Sequence, residues 1–147
     1  MLRTLKIIKY WFRIFSGSSA ILTSKHMIFT DLHTSDGDLT YTLNSQPILG
    51  TLIVSDSHGE THILNYTHKL TQADLLRGLL TYNSNTEVGL KKVAEVLLFN
   101  VTDLSNNVLP NQVSLEIITK SLFIKVQRFL DLSRNLYHYY HDNSRKF

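Results

Sequence analysis

Four aspartates occupy turn-rich parts of the sequence, where carboxylate oxygens could gather around a hard cation. Calcium takes six to eight oxygen ligands, so a site would need most of these carboxylates at one end of the fold. Asp36 and Asp38 also suit plain turns and Asp103 the end of a strand, because Asp side chains bond to backbone N–H groups nearby in sequence. We predict the turn role and keep calcium as the alternative, which a calcium-dependent rise in melting temperature would identify. The candidate ligands are Asp31, Asp36, Asp38 and Asp103.

Histidine pairs offer a weaker metal hypothesis. His58 and His62 lie four residues apart, but Gly59 and the surrounding turn residues oppose the helix that would bring both rings to one face. We therefore predict solvated loop histidines, and the same for His138 and His141 near the C-terminus.

Two tripeptides match the acceptor pattern for N-glycosylation. They begin at Asn65 and Asn100. Strand alternation places Asn100 on the face opposite Phe99 and Val101, so we expect solvent to reach it. A glycan on either asparagine would require secretion of the chain.

Signatures of catalysis are missing from the sequence. There is no Gly-x-Ser-x-Gly, no phosphate-binding loop with its lysine and no Gly-x-Gly-x-x-Gly. The chain contains no cysteine, which excludes disulfides, thiolate metal sites and cysteine nucleophiles. We predict a protein that is not an enzyme, with no catalytic residue and no cofactor apart from the calcium alternative. Convergence of Asp74, Glu60 and a histidine in one pocket would reverse that prediction.

Short alternating segments must position these residues. Large side chains alternate with smaller or polar ones in at least three runs, which is typical of strands with one buried face. The inward sets are Leu39/Tyr41/Leu43, Leu97/Phe99/Val101 and Val113/Leu115/Ile117. Leu52–Val54 and His62–Tyr66 flank a turn and predict a hairpin.

Further strands are predicted at 11–15, with Trp11 facing inward, and at Met27-Ile28-Phe29. Thr71-Gln72-Ala73-Asp74 predicts a capping box that starts one short helical turn. Leu75 and Leu76 would face inward from this turn, and Gly78 would end it. In total we predict an all-β sandwich of about seven to nine short strands.

Charge is divided unevenly along the 147 residues. Residues 1–25 contain five basic residues and no acid, whereas residues 26–119 contain four basic and ten acidic residues. We predict a basic flank at 1–10, a sandwich at 11–119 and a basic tail at 120–147 that is helical or disordered. The acidic body argues against nucleic acid as a partner, because a nucleic-acid reader needs a basic face.

No stretch offers the roughly 20 apolar residues of a membrane-spanning helix. The basic, apolar start followed by Gly17-Ser18-Ser19-Ala20 resembles a signal peptide, but Lys9 and Arg13 interrupt its apolar core. We expect no working signal peptide here, and interpret the chain as a fragment of a longer secreted protein.

In order along the chain, the motifs resemble the CSPG repeat, a cadherin-like module of the Fras/Frem matrix proteins and of the neuron-glial antigen proteoglycan. The matching segments run from Gly17 to Ile117. They are Gly17, Phe29-Thr30-Asp31, Leu39-Thr40-Tyr41, Pro47–Leu52, Leu70–Leu75, Gly78, Tyr82, Phe99–Asp103 and Val113–Ile117. The chain departs from the pattern at His33, Ser84 and Glu95, and the changes at His33 and Glu95 remove aspartates that calcium would use.

The resemblance implies a cadherin-like, immunoglobulin-like sandwich and a structural or adhesive module of an extracellular matrix or cell-surface protein. Its partners would be other matrix or cell-surface proteins and neighbouring repeats. One alternative is a calcium-dependent adhesion domain. Another is a small sandwich-fold hydrolase or carbohydrate-binding domain, which would need converging carboxylates or exposed aromatic side chains in a groove.

Overall fold

The computed structural model describes residues 8–30, 34–85, 87 and 91–144. The described chain forms strands β1 (Ile8–Phe15), β2 (Ser19–Leu22), β3 (Thr40–Leu43), β4 (Gly50–Ser55), β5 (Thr61–Ile63), β6 (Lys69–Thr71), β7 (Leu80–Ser84), β8 (Val93–Thr102) and β9 (Val108–Lys120). Helix α1 spans Gln72–Leu76, helix α2 spans Leu122–Ser144, and a 3₁₀ turn covers Asp36–Asp38.

The strands form two sheets. The first sheet has five strands in the order β1-β9-β8-β3-β6, and the second has four in the order β2-β7-β4-β5. Neighbouring strands are antiparallel except β1 and β9, which run parallel from Ile8 beside Val113 to Phe15 beside Lys120. The predicted all-β sandwich is confirmed. The predicted hairpin is the antiparallel pair β4–β5, but β5 ends at Ile63 and the predicted strand continued to Tyr66.

One apolar core joins the two sheets. The first sheet contributes the three inward sets that alternation predicts, and all nine of those side chains are at most 2% exposed. Leu22, Leu52, Leu80 and Tyr82 belong to the same core from the second sheet. Burial of such aliphatic and aromatic side chains away from water is the main favourable contribution to the free energy of folding.

The Thr-Gln-x-Asp-Leu segment caps helix α1 and forms hydrogen bonds with other segments that surround the core. The Thr71 hydroxyl accepts a hydrogen bond from the Asp74 N–H at 3.1 Å, and the Asp74 carboxylate accepts from the Thr71 N–H at 3.0 Å, as the predicted capping box requires. Gln72 is fully buried, and its Oε1 accepts hydrogen bonds from the Phe29 N–H and the Tyr41 hydroxyl. A buried amide oxygen with two donors therefore connects β3 to the segment that precedes it.

Three local predictions are wrong. Leu75 is buried as expected, but Leu76 is 57% exposed, since successive residues of a helix point about 100° apart and one turn buries one face. Residues 27–29 form no strand, although Met27 and Phe29 are buried, because the Phe29 N–H bonds to the Gln72 side chain instead of a neighbouring strand. Trp11 is 65% exposed, because Phe12 and Ile14 occupy the inward positions of β1.

The predicted tail contains α2, so its helical alternative is confirmed. The described side chains of α2, residues 128–139, are all exposed. Neither described helix is long and apolar enough to cross a membrane.

Gly50 is the glycine of the Pro-x-x-Gly-x-Leu motif, and the ring of Tyr82 explains why this position has no side chain. A Cβ at Gly50 would lie 2.4 Å from the Asn83 carbonyl oxygen and 2.4 Å from Cζ of Tyr82. The two residues belong to neighbouring strands β4 and β7, so the ring packs directly over the glycine backbone. Only a residue without a side chain leaves that space.

We predict that Gly50→Ala lowers the free energy of unfolding by about 1–3 kcal/mol, because the added methyl must displace backbone and a packed ring. Chemical denaturation followed by circular dichroism measures this change. Gly37→Ala is the matched control, since its Cβ would meet only Ala73 Cβ at 3.9 Å and should change stability little. Equal effects of the two substitutions would contradict the close packing at Gly50.

Candidate functional site

The parallel pairing of β1 with β9 sets where the chain enters and leaves the sandwich. Ile8 at the start of β1 pairs with Val113, and Phe15 at its end pairs with Lys120, the last residue of β9. The first residue of β1 and the last residue of β9 therefore lie at opposite ends of an eight-residue ladder, about 25 Å apart at 3.3 Å per residue. The sandwich thus has an entry end and an exit end.

Two of the four calcium candidates lie at one end of the first sheet. Asp38 shortly precedes β3 and Asp103 follows β8, and Thr40 pairs with Thr102 where these strands meet. Asp31 lies outside the described residues, and the structure describes only the backbone of Asp36. The described residues contain no group of three side chains able to hold a metal ion.

The carboxylates of Asp38 and Asp103 accept hydrogen bonds within their own turns. Asp38 Oδ2 accepts from the Ser35 hydroxyl at 2.6 Å. Asp103 accepts from both the backbone and the side-chain N–H groups of Asn107 at 2.8 Å, and these bonds hold the pKa of its carboxyl below the usual value. Both residues thus have the contacts of turn formers, and calcium binding by them stays a prediction.

The two sequon asparagines have different surroundings. Asn65 lies in the loop between β5 and β6, where its Oδ1 accepts from the Thr67 N–H at 3.0 Å and from the Thr67 hydroxyl at 2.6 Å. Asn100 lies on central strand β8, and its Oδ1 accepts from the Asn111 N–H at 2.9 Å beside an irregularity in the β8–β9 ladder. Glycosylation of either asparagine stays a prediction.

His62 meets a histidine that sequence spacing does not indicate. His58 and His62 are both exposed, and the ring of His62 lies 4.9 Å from that of His68, centroid to centroid. The His68 ring nitrogen Nδ1 lies 2.8 Å from Asn65 Oδ1. His62 is on β5 and His68 immediately precedes β6, so the contact forms where the chain crosses between the sheets.

A shallow surface pocket of about 250 Å³ brings Asp56, His62 and Asp74 to one place. Glu60 is not among its lining residues, so the trio that would indicate an enzyme is incomplete. Asp56 Oδ1 accepts from the N–H groups of His58 and Glu60 at 2.8 and 2.9 Å, and Asp74 caps α1 and pairs with Arg77 at 3.2 Å. The two carboxylates thus hold a turn and a helix cap.

Glu95 is a departure from the repeat pattern, and its carboxylate bridges the sheets. Its Oε1 accepts from the Tyr82 hydroxyl at 2.5 Å, and Oε2 accepts from the N–H groups of Ile48 and Leu49 at 2.7 and 3.3 Å. Glu95 therefore connects β8 of the first sheet to β7 and to the Pro-x-x-Gly loop of the second. The longer side chain acts here as a structural hydrogen-bond acceptor.

The fold and these sites define a two-sheet, cadherin-like module. A model of the cadherin-like family matches residues 5–118, and the chain belongs to that family. The human protein named extracellular matrix organizing protein FRAS1 is 30% identical over 104 residues, which cover 71% of this chain and 3% of that protein. The chain therefore spans a small part of this relative's length, and the resemblance to the CSPG repeat of Fras proteins is confirmed. No solved structure gives a significant match.

The buried phenol of Tyr82 predicts that stability falls at alkaline pH. Burial, and then the hydrogen bond to Glu95, raise the pKa of Tyr82 above its usual value. Because the folded state keeps a proton that the unfolded chain releases above about pH 10, this residue makes stability fall as pH rises beyond that point. We predict that Tyr82→Phe reduces the fall by up to about 1.4 kcal/mol per pH unit between pH 10 and 11.

Denaturant unfolding across that range, compared with pH 7 to 9, measures the effect. The difference in stability between the two proteins should stay constant from pH 7 to 9, where the phenol is protonated in both states. The prediction is contradicted if the free energy of unfolding falls equally with pH for wild type and variant above pH 10. That result would show that the phenol ionises equally in the folded and the unfolded chain.

Proposed function

We propose that this chain is a non-catalytic structural module of an extracellular matrix protein, built to be joined end to end with similar modules. The observation that carries the proposal is the parallel β1–β9 pair, which puts the start of the first strand and the end of the last strand at opposite ends. A module that receives the chain at one end and releases it at the other extends a linear array without doubling back.

Rigidity is the property that such a spacer requires, and the core supplies it. The buried side chains of both sheets form one cluster, and Gln72 and Glu95 add hydrogen bonds that connect strands to loops. A module of this kind keeps a fixed distance between its neighbours and presents its sheet faces and loops to matrix or cell-surface partners. Membership of the cadherin-like family and the similarity to a matrix protein support this assignment.

Calcium-dependent adhesion is the alternative within the same fold. It would place the ion at the end of the first sheet where both Asp38 and Asp103 lie. The hydrogen bonds that both carboxylates already accept favour the module that needs no ion.

We predict that two copies of residues 5–121 joined directly form an extended particle. Small-angle X-ray scattering should give a maximum dimension close to twice that of one copy, because each copy continues from the exit end of the one before. A second protein with about 20 Gly and Ser residues between the copies is the control, and its scattering should show a flexible pair. A directly joined pair with the compact dimension of side-by-side copies would contradict the proposal.

A further inference from the structure

The outer face of β1 exposes a row of cations around an aromatic ring. Residues of a strand alternate between faces, so Lys9, Trp11 and Arg13 point outward while Phe12 and Ile14 are buried. Each of the three is exposed, and successive members lie about 7 Å apart along the strand. Strand β1 is also an edge of the first sheet, so the row borders open solvent.

A loop supplies a second wall beside this row. Lys9, Tyr10, Trp11 and Lys25 line a shallow cleft of about 260 Å³. The cleft is held in shape from behind, because the Tyr10 hydroxyl donates to the Ile28 carbonyl at 2.9 Å and the Phe12 ring contacts the His26 ring at 4.9 Å between centroids. These contacts hold strand β1 against the loop that carries Lys25.

The positive charge of the cleft is not neutralised by ion pairs. No ion pair joins Lys9, Arg13 or Lys25 to an acid in the part of the chain that the structure describes. One acidic residue is close, since Glu116 of β9 is the neighbour of Trp11 across the ladder and is exposed. The row and Lys25 together thus place three cations against one carboxylate, on a domain whose residues 26–119 carry ten acids and four bases.

We propose that the cleft beside β1, with its residues Lys9, Trp11 and Lys25, and the adjoining Arg13 on the same face of β1 bind a linear sulfated polysaccharide. The cations would contact sulfate groups, and the flat indole of Trp11 would cover the apolar face of a sugar ring. A thin polyanion can lie along one strand edge and touch only this row. A broad anionic surface, such as a bilayer, would also meet the acidic body and be repelled. The site lies within a single domain and does not depend on the tandem arrangement.

Trp11 is the only tryptophan of the chain, so its fluorescence reports on the site directly. We expect a heparin oligosaccharide to change the emission of the full chain in a saturable titration. Three cationic contacts predict that affinity falls about 20-fold between 50 and 200 mM salt, by analogy with counterion release from single-stranded polyanions. Hyaluronan of equal length, which has carboxylates but no sulfate, should bind at least about tenfold more weakly, because fewer counterions are released.

Paired variants locate the site. Lys9→Gln with Arg13→Gln should weaken heparin binding at least about tenfold and flatten its salt dependence, while Trp11 remains as the reporter. Lys69→Gln with Arg77→Gln removes the same charge from the opposite edge strand β6 and from the residue that follows α1, and should leave affinity nearly unchanged. Glu116→Gln should strengthen binding roughly two- to fivefold, since it removes the nearby repulsive charge.

Several results would overturn the proposal. These are equal losses from the two double variants, hyaluronan binding as tightly as heparin, or no saturable change in Trp11 emission. Pelleting with vesicles of phosphatidylcholine and phosphatidylserine in a 3:1 ratio distinguishes a membrane site, and binding to vesicles but not to heparin would also overturn it. Circular dichroism and a melting curve of each variant confirm that these exposed substitutions leave the fold intact.

Discussion

A single dry interior shared by two sheets is the constraint on which the rest of this structure depends. The chain has no cysteine, so no disulfide can replace core packing. Leu97, Phe99 and Val101 of one sheet are buried in the same cluster as Leu52 and Leu80 of the other. Because side chains alternate between the two faces of a strand, these buried residues also fix which residues face solvent. A shift of one residue would turn every apolar side chain toward solvent.

The functional surfaces follow from that constraint. On β1, burial of Phe12 and Ile14 forces Lys9, Trp11 and Arg13 outward. Pairing of β1 with β9 then fixes the entry and exit ends of the module. Polar groups that the core excludes are satisfied at its margins, where the carboxylates of Asp74, Glu95 and Asp103 each accept hydrogen bonds. The same packing thus creates both the proposed spacer and the proposed polysaccharide cleft.

Much of the fold could be predicted from the sequence, because alternation and capping are local. The inward faces of β3, β8 and β9 and the cap of α1 were predicted from residue types alone. Trp11 was predicted to face inward on its hydrophobicity, although it shares strand parity with the charged Arg13. That parity was the available signal for the outward position of Trp11.

Other features could not be predicted, because they depend on contacts between distant residues. The four-residue β2 and the three-residue β6 are too short to show a clear alternating pattern, and they become strands by pairing with β7 and β3. The Phe29 N–H and the Tyr41 hydroxyl, which donate hydrogen bonds to Gln72, lie 43 and 31 residues away from it in the sequence. The contact of His62 with His68 likewise depends on the crossover between the sheets, which sequence spacing does not indicate. The motif that contains Gly50 is visible in the sequence. The need for a glycine there is visible only in the structure, where the ring of Tyr82 fills the space of a side chain.

Native-state hydrogen exchange tests most directly whether one interior unites both sheets. Leu80→Ala, on β7 of the second sheet, should lower global stability by about 2–5 kcal/mol. If the core is shared, the slowest-exchanging amides of β8 and β9 in the first sheet should lose protection by that same free energy, because both sheets open in one cooperative unit. Loss of protection confined to β7 and its neighbours β2 and β4 would contradict the account, because it would show two sheets that unfold independently.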